Sequence, residues 1–388
     1  MGKAEYMRGT DEDMQDIVDL ADLVFGKLEE PHDFRAMLPK LYGTHRQTQD
    51  MHFLAKEDGK LVALVCLMPG TIRAFGESFS YCSIGTVCVH NAYRGKGHMK
   101  VLMDMALKEM EAQGFMLSAL GGWRQRYEYF GFLPAGICPE YYTEKHNLEH
   151  YLHNDDTYDI KLIEIERDHG EELGKAHELY RQQDYHCDYS AEAFYDRLCS
   201  WFLTPYSIYE GDTYIGYGVL NGKDGNVQEM LLMDDKYVPH VYRAVMERFG
   251  TDSVRAVIPF WQEKAAGQAA SFCEEFRIGW DNRYRIMNYV DTIRIFIKLK
   301  AGWQKLMAGK FVIGITGRKN ICIEVSGDDI EVYETEEIAH TVMSEKEAVS
   351  LLFADTAIQL DKKIKERVPE CAWQWLPLPL RVPGLDLC

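Results

Sequence analysis

Three scarcities limit what this chain can be. Ten cysteines, at 66, 82, 88, 138, 187, 199, 273, 322, 371 and 388, include no C-x-x-C pair, so neither a zinc ribbon nor a disulfide framework is indicated. No long hydrophobic run exists: the longest, Leu61 to Met68, is far too short to cross a bilayer. The stretch Met1 to Asp22 is acidic, where a secretory signal would be basic and then apolar. A cytoplasmic protein with no membrane partner is expected. Positive charge is also short, with 43 Lys and Arg against 61 Asp and Glu and a formal charge of -18. That balance repels nucleic acid and favours a cationic acceptor, though it is equally the ordinary state of many soluble proteins.

What is present suits a globular chain of several parts. Hydrophobic residues make up 46% and aromatics 12%, ample for burial, and 388 residues exceed one ordinary core. The most informative stretch runs from a strand ending Val87-Cys88-Val89 into Arg94-Gly95-Lys96-Gly97-His98-Met99 and then a helix. Met99, Leu102, Met103, Ala106 and Met110 recur at helical spacing, and Gly114 stands at the stop. A glycine-rich turn feeding a helix offers free N–H groups to a pyrophosphate, with Arg94, Lys96 and Lys100 adding charge. Alone, the turn also describes a common strand-turn-helix corner.

Further on lies Arg126-Tyr127-Glu128-Tyr129-Phe130-Gly131-Phe132. The pair of motifs resembles the GNAT acetyltransferases, whose phosphate loop reads R/Q-x-x-G-x-G/A and whose Y-E-x-x-G-F segment follows the fifth strand. Arg94 and Gly97 match, while Met99 fills the final small position, as in the Eis-like (enhanced intracellular survival) branch. That resemblance implies an α/β (α+β) fold of tandem GNAT domains, mixed sheets flanked by helices, ending in a sterol-carrier-like α/β domain. The expected divisions are 1–150, catalytic and acetyl-CoA-binding; 151–289, a degenerate copy; and 290–388, the sterol-carrier-like unit with its tail.

Pattern reading agrees with this division. Thr10 and Asp13 suggest the start of a helix through Ile17, Ala21 and Val24. Met51 to Met68 and Ser80 to Val89 read as strands, and Tyr206 to Leu220 repeats the strand-turn-strand pattern before a helix holding Val241, Val245 and Phe249. The corresponding loop there, Met233-Asp234-Asp235-Lys236, is acidic and has no glycine, so it cannot cradle phosphate in the same way. From Phe311 to Val332 the alternation describes a three-stranded meander, and Ser344 with Glu347 opens a helix.

The resemblance implies specific roles. Tyr127 is the general acid for the departing thiolate, and in the Eis-like branch the base is the chain's own terminal carboxylate, here Cys388. A phenol is a reasonable acid for a thiolate, although the residue also reads as a core tyrosine. The proline-containing tail Trp373 to Cys388 either threads back to the first domain or packs on the third. Val87, Cys88 and Val89 should face the pantetheine arm, Gly122 should let it pass close to the backbone, and Arg94 to Lys100 should grip the diphosphate. His98 reads as an exposed helix-start residue beside that grip. No metal is expected: His146, His150 and His153 share helical spacing, but nothing completes a ligand set. The acceptor is a small-molecule or peptide amine, polyamine-like, aminoglycoside-type or lysine-like, and the resemblance implies a homo-oligomer, often a hexamer. Two other functions remain open, a non-catalytic acyl-CoA sensor and a lipid-binding interaction protein.

Overall fold

The computed structural model describes residues 4–26, 32–152 and 158–388. The first part of the chain contains β1 (Ala4–Arg8), α1 (Met14–Phe25), α2 (Phe34–Met37), α3 (Pro39–Tyr42), β2 (His52–Glu57), β3 (Lys60–Ala74), β4 (Glu77–Val89), α4 (His98–Gln113), β5 (Leu117–Leu120), α5 (Arg124–Glu128), β6 (Leu133–Ala135), β7 (Cys138–Glu144) and α6 (Lys145–Tyr151). A second series repeats the order: β8 (Ile160–Glu164), α7 (Gly170–Arg181), β9 (Tyr185–Cys187), α8 (Ala191–Leu198), β10 (Leu203–Glu210), β11 (Thr213–Asn221), β12 (Val227–Leu232), α9 (Val238–Phe249), β13 (Ser253–Val257), α10 (Glu263–Phe272), β14 (Glu275–Gly279) and β15 (Asn282–Ile286). The rest is α11 (Tyr289–Trp303), β16 (Gly309–Ile315), β17 (Asn320–Ser326), β18 (Asp329–Thr335), β19 (Thr341–Met343), α12 (Glu345–Leu352), α13 (Lys362–Lys365) and α14 (Glu370–Trp375), which leads into the tail.

Two mixed sheets share one plan. The first runs β1-β2-β3-β4-β5-β15-β6, with β9 added beside β3, and the second runs β14-β7-β13-β12-β11-β10-β8. In both, the strand between the fifth and sixth positions comes from the other half of the chain. Tyr284 of β15 pairs with Ala119 of β5 and Leu133 of β6, while Tyr141 of β7 pairs with Ala256 of β13 and Phe276 of β14. Cys138–Glu144 therefore lies before residue 150 in sequence yet belongs to the second sheet, and Asn282–Ile286 lies before residue 289 yet belongs to the first. Both strands mix buried with half-buried positions, so neither announces from its pattern which sheet it joins.

Some local expectations need correction. Asp13 is the N-cap of α1, and its carboxylate receives both the N–H and the hydroxyl of Thr10 at 2.9 and 2.8 Å, closing a turn ahead of the helix. The chain opens with β1, which the sequence reading missed because Ala4–Arg8 pairs only on one side, along β2. The meander has a fourth strand, since β19 pairs parallel with β16. Ser344 and Glu347 do form a reciprocal capping box at α12.

The tail does not lie loose. Leu378, Leu380, Val382, Leu385 and Leu387 are buried, a contribution of about 1.5–3 kcal/mol for each such side chain as an upper figure. Ile137 donates its N–H to Leu380 O at 2.9 Å, and the Tyr284 hydroxyl receives the N–H of Val382 at 2.9 Å. The four-stranded sheet, the far end of the first sheet and the tail share one apolar cluster. Among the described residues no helix is long and apolar enough to cross a membrane.

Candidate active site

The site is built on β4 and the corner that follows it. Along β3 and β4 the register carries Leu64 opposite Cys88 and Cys66 opposite Gly85, so Thr86 and Val87 together face Val65: a β-bulge. Thr86 takes φ +47, rare for a β-branched residue, and the strain is held from outside. Its Oγ1 is hydrogen-bonded to the Tyr42 hydroxyl at 2.7 Å, and that hydroxyl also meets His52 Nε2 at 3.1 Å. Burial pulls the His52 pKa down to about 4, so the imidazole is neutral and its Nδ1–H reaches Thr48 O at 3.0 Å. The bulge frees β4 from its ladder just where its backbone turns toward a cleft.

That cleft, about 760 Å³, is lined by Val87, Cys88, Val89, Arg94, Gly95, Gly97, His98, Met99 and Lys100. Trp123, Arg126, Tyr129 and Phe130 complete the opposite wall. Gly95 and Gly97 take φ +81 and +87, and a Cβ at either would meet nothing within 4 Å. Gly97 is the N-cap of α4, and no described residue accepts a hydrogen bond from the amides of residues 95 to 99. The corner thus presents unsatisfied N–H groups and a helix N-terminus to open space, with Arg94 and Lys100 on its rim. Those donors fit a diphosphate.

Not every expected contact faces the cleft. The Lys96 ammonium turns to Glu57 at 2.7 Å and lies over the Tyr93 ring at 4.5 Å, which lowers the Glu57 pKa. His98 is buried rather than exposed: its Nδ1 meets the Tyr6 hydroxyl at 3.1 Å and its Nε2 lies 3.0 Å from Glu57 Oε1. Gly122, at φ +112, makes room for Tyr127, whose ring carbon would lie 2.8 Å from a Cβ there. Tyr127 itself is buried on α5, and burial raises its phenol above the ordinary value. Of the three histidines considered for metal, His146 meets Glu144 at 3.2 Å and His153 lies outside the described residues.

The tail brings the last residue to β4. A Cβ on Gly85 would lie 2.4 Å from the terminal carbon of Cys388 and 2.5 Å from its oxygen, so glycine is what admits the terminus. The Cys388 N–H donates to Ser83 Oγ at 3.0 Å. Buried Lys40 donates to Leu385 O and Leu387 O, both at 2.5 Å, and the Tyr81 hydroxyl donates to Asp386 O at 3.0 Å. The Asp386 carboxylate receives Arg197 at 2.6 Å and Tyr189 at 2.9 Å, and Arg197 is itself forked onto Glu229 at 2.8 and 2.6 Å. Burial lowers the Lys40 pKa to about 8. Thr86 and Val87 of the bulge separate Gly85 from Cys88, three positions further along β4 and a rise of about 10 Å. Lys40, Tyr42, His52 and Gly85 were not singled out from sequence. A lone glycine inside an apolar strand was a readable sign of close backbone approach; for Lys40 there was none.

The family comparison bears on this geometry directly. Residues 5–135 match the acetyltransferase (GNAT) domain family. The first unit is accordingly an acetyltransferase (GNAT) domain, and the chain is an acyl-transferring enzyme of the N-acetyltransferase type. No curated protein matches the chain. In three dimensions it is similar to a GCN5-related N-acetyltransferase from Anabaena variabilis, at 15% identity and TM-score 0.67 over 100% of both chains. A GCN5-related N-acetyltransferase from Kribbella flavida aligns at 13% identity and TM-score 0.60 over 90% of this chain and 88% of that one. Eis1 from Mycobacterium abscessus aligns at 14% identity and TM-score 0.56 over 90% and 89%. At these identities the likeness is one of fold.

Proposed function

We propose that the chain transfers acetyl from acetyl-CoA to a primary amine by direct attack, using Tyr127 as acid and the Cys388 carboxylate as base. When bound, the thioester supplies the activated acyl group; the protein supplies grip, orientation and proton transfer. Main-chain amides between Gly95 and Met99 hold the diphosphate, with Arg94 and Lys100 beside them. The bulged Thr86–Val89 segment offers main-chain groups to the pantetheine arm, as an added strand would. The Tyr127 hydroxyl gives its proton to the departing thiolate, and its raised pKa keeps that proton available at neutral pH. The terminal carboxylate accepts the ammonium proton of the incoming amine. Aminoglycoside-, polyamine- and lysine-like amines all satisfy this chemistry, and the acidic chain favours a cationic acceptor.

One observation carries the reading: the donors and acceptors of the last turn are engaged by buried side chains from both halves of the chain, which is the construction expected of a placed end. In this reading the sterol-carrier-like unit is a scaffold for the tail and not a lipid carrier. The test is a free-thiol assay over an amine panel with two variants, Tyr127→Phe and a chain extended by two glycines after Cys388. Each should lower turnover on the order of 10²-fold or more while leaving CoA affinity within a few-fold. Full activity in both would refute the mechanism, and CoA binding without thiol release on any amine would favour a sensor.

A further inference from the structure

The terminal residue carries a thiol as well as a carboxylate, and the sheet places that thiol against a second one. Residues directly opposite in an antiparallel pair project to the same face, with Cβ atoms about 4.5–5.5 Å apart. Cys66 is opposite Gly85, which has no side chain, and Cys388 occupies the vacancy: its Sγ lies 2.7 Å from where a Gly85 Cβ would stand. The same Sγ lies 3.4 Å from Ser83 Oγ and 3.5 Å from Ser83 O. The register therefore sets the Cys388 thiol beside that of Cys66, with Cys66 buried and Cys388 part-exposed. Lys40 faces this pair from α3, Tyr42 touches Cys66 from the same segment, and His52 and Thr86 complete the polar surroundings.

We propose that Cys66 and Cys388 form a reactive thiol pair that closes to an intramolecular disulfide in the presence of a low-molecular-weight disulfide, and that closure switches off the terminal carboxylate. The Cys388 thiolate attacks one sulfur of the small disulfide, forming a mixed disulfide and releasing one small thiolate. The Cys66 sulfur then attacks Cys388 Sγ and expels the second small thiolate, which takes the Cys66 proton. In sum, two protein thiols and one small disulfide become one protein disulfide and two small thiols. The order of attack follows from the environment. The neighbouring Cys66 thiol, together with Ser83 and the charge of Lys40, lowers the Cys388 pKa, whereas the nearness of Cys388 and burial push Cys66 up. Bonding draws the sulfurs to about 2 Å apart, shifting the terminal residue toward β3 by on the order of 1 Å, enough to misplace a catalytic group.

The regulatory half of this proposal rests on the terminal carboxylate being the base; the disulfide itself does not. The experiment is to treat the full chain with coenzyme A disulfide or hydroxyethyl disulfide, then to take intact mass, peptide maps without reductant, and amine-dependent thiol release after removing the reagent. The expected result is loss of the mass of two hydrogens, a crosslink between the Cys66 peptide and the C-terminal peptide, and turnover reduced on the order of tenfold or more, all restored by dithiothreitol. Cys66→Ala should stop at the mixed disulfide on Cys388. Two unreacted thiols, a mixed disulfide that never closes in the native chain, or crosslinks to other cysteines would overturn the pair. A closed disulfide with unchanged turnover would overturn the switch. A closed disulfide in a chain that acetylates no amine would leave the pair standing and refute the function proposed above.

Discussion

The two halves of the chain build the same corner, strand to loop to helix, and only one of them leaves it open. After β4, Gly95 and Gly97 adopt left-handed conformations, the amides are unused, and the rim is basic. After β12, Asp234 bends its own carboxylate onto the Lys236 N–H at 3.1 Å, and its other oxygen holds the Lys236 ammonium at 3.1 Å. Pro239 then sits in the first turn of α9 and removes a donor. Asp234 and Asp235 would oppose any phosphate in that place. Fold alone therefore does not make an anion site; the amides must be unsatisfied, the approach must be free of side chains, and the nearby charge must have the right sign.

The sharpest way to break this comparison is to close the first corner. Gly97→Val forces a β-branched residue to φ +87 and points it into the cleft, and CoA affinity should fall on the order of 10²-fold by calorimetry. Native chain should bind one CoA, at the first corner; a second equivalent would show that the acidic corner binds as well. Next in size is Gly85→Ala, where the three atoms nearest an added Cβ all belong to Cys388. Turnover should fall on the order of 10²-fold with CoA affinity within a few-fold, and an unaffected turnover would remove the terminus from the chemistry.

A smaller effect should appear in stability against pH. The folded-state pKa of Lys40 is depressed to about 8 from 10.5, so below pH 8 the native chain must bury a cation that water would solvate. Between pH 8 and 10.5 the unfolded state binds more protons, and stability should rise with pH by about 3 kcal/mol from this group. Lys40→Met should lack that rise in paired urea titrations; parallel curves for the two chains would show the shift to be absent. Smallest of all, Glu57→Gln should release Lys96 toward the cleft and tighten CoA binding about two- to fivefold at low salt.

What could be read beforehand was whatever rests on local pattern. The glycine corner, the helix behind it, the acidic second corner and the capping box of α12 follow from residues a few positions apart, and the structure has each of them. The strand exchange was not legible, because β7 and β15 pair across more than a hundred residues and carry no mark of their destination. His98 was misjudged for a related reason. Its partners, Tyr6 and Glu57, come from β1 and β2, and a histidine at a helix start reads as solvated until those strands are placed beside it. Lys40 is the extreme case: its partners lie 345 and 347 positions away.

The exchanged strands also set an order of events. While the chain is being made, the first sheet has a gap between Leu117–Leu120 and Leu133–Ala135 that no earlier segment fills, and it closes only when Asn282–Ile286 has left the ribosome. The half that carries the open glycine corner must wait for its neighbour to be synthesised.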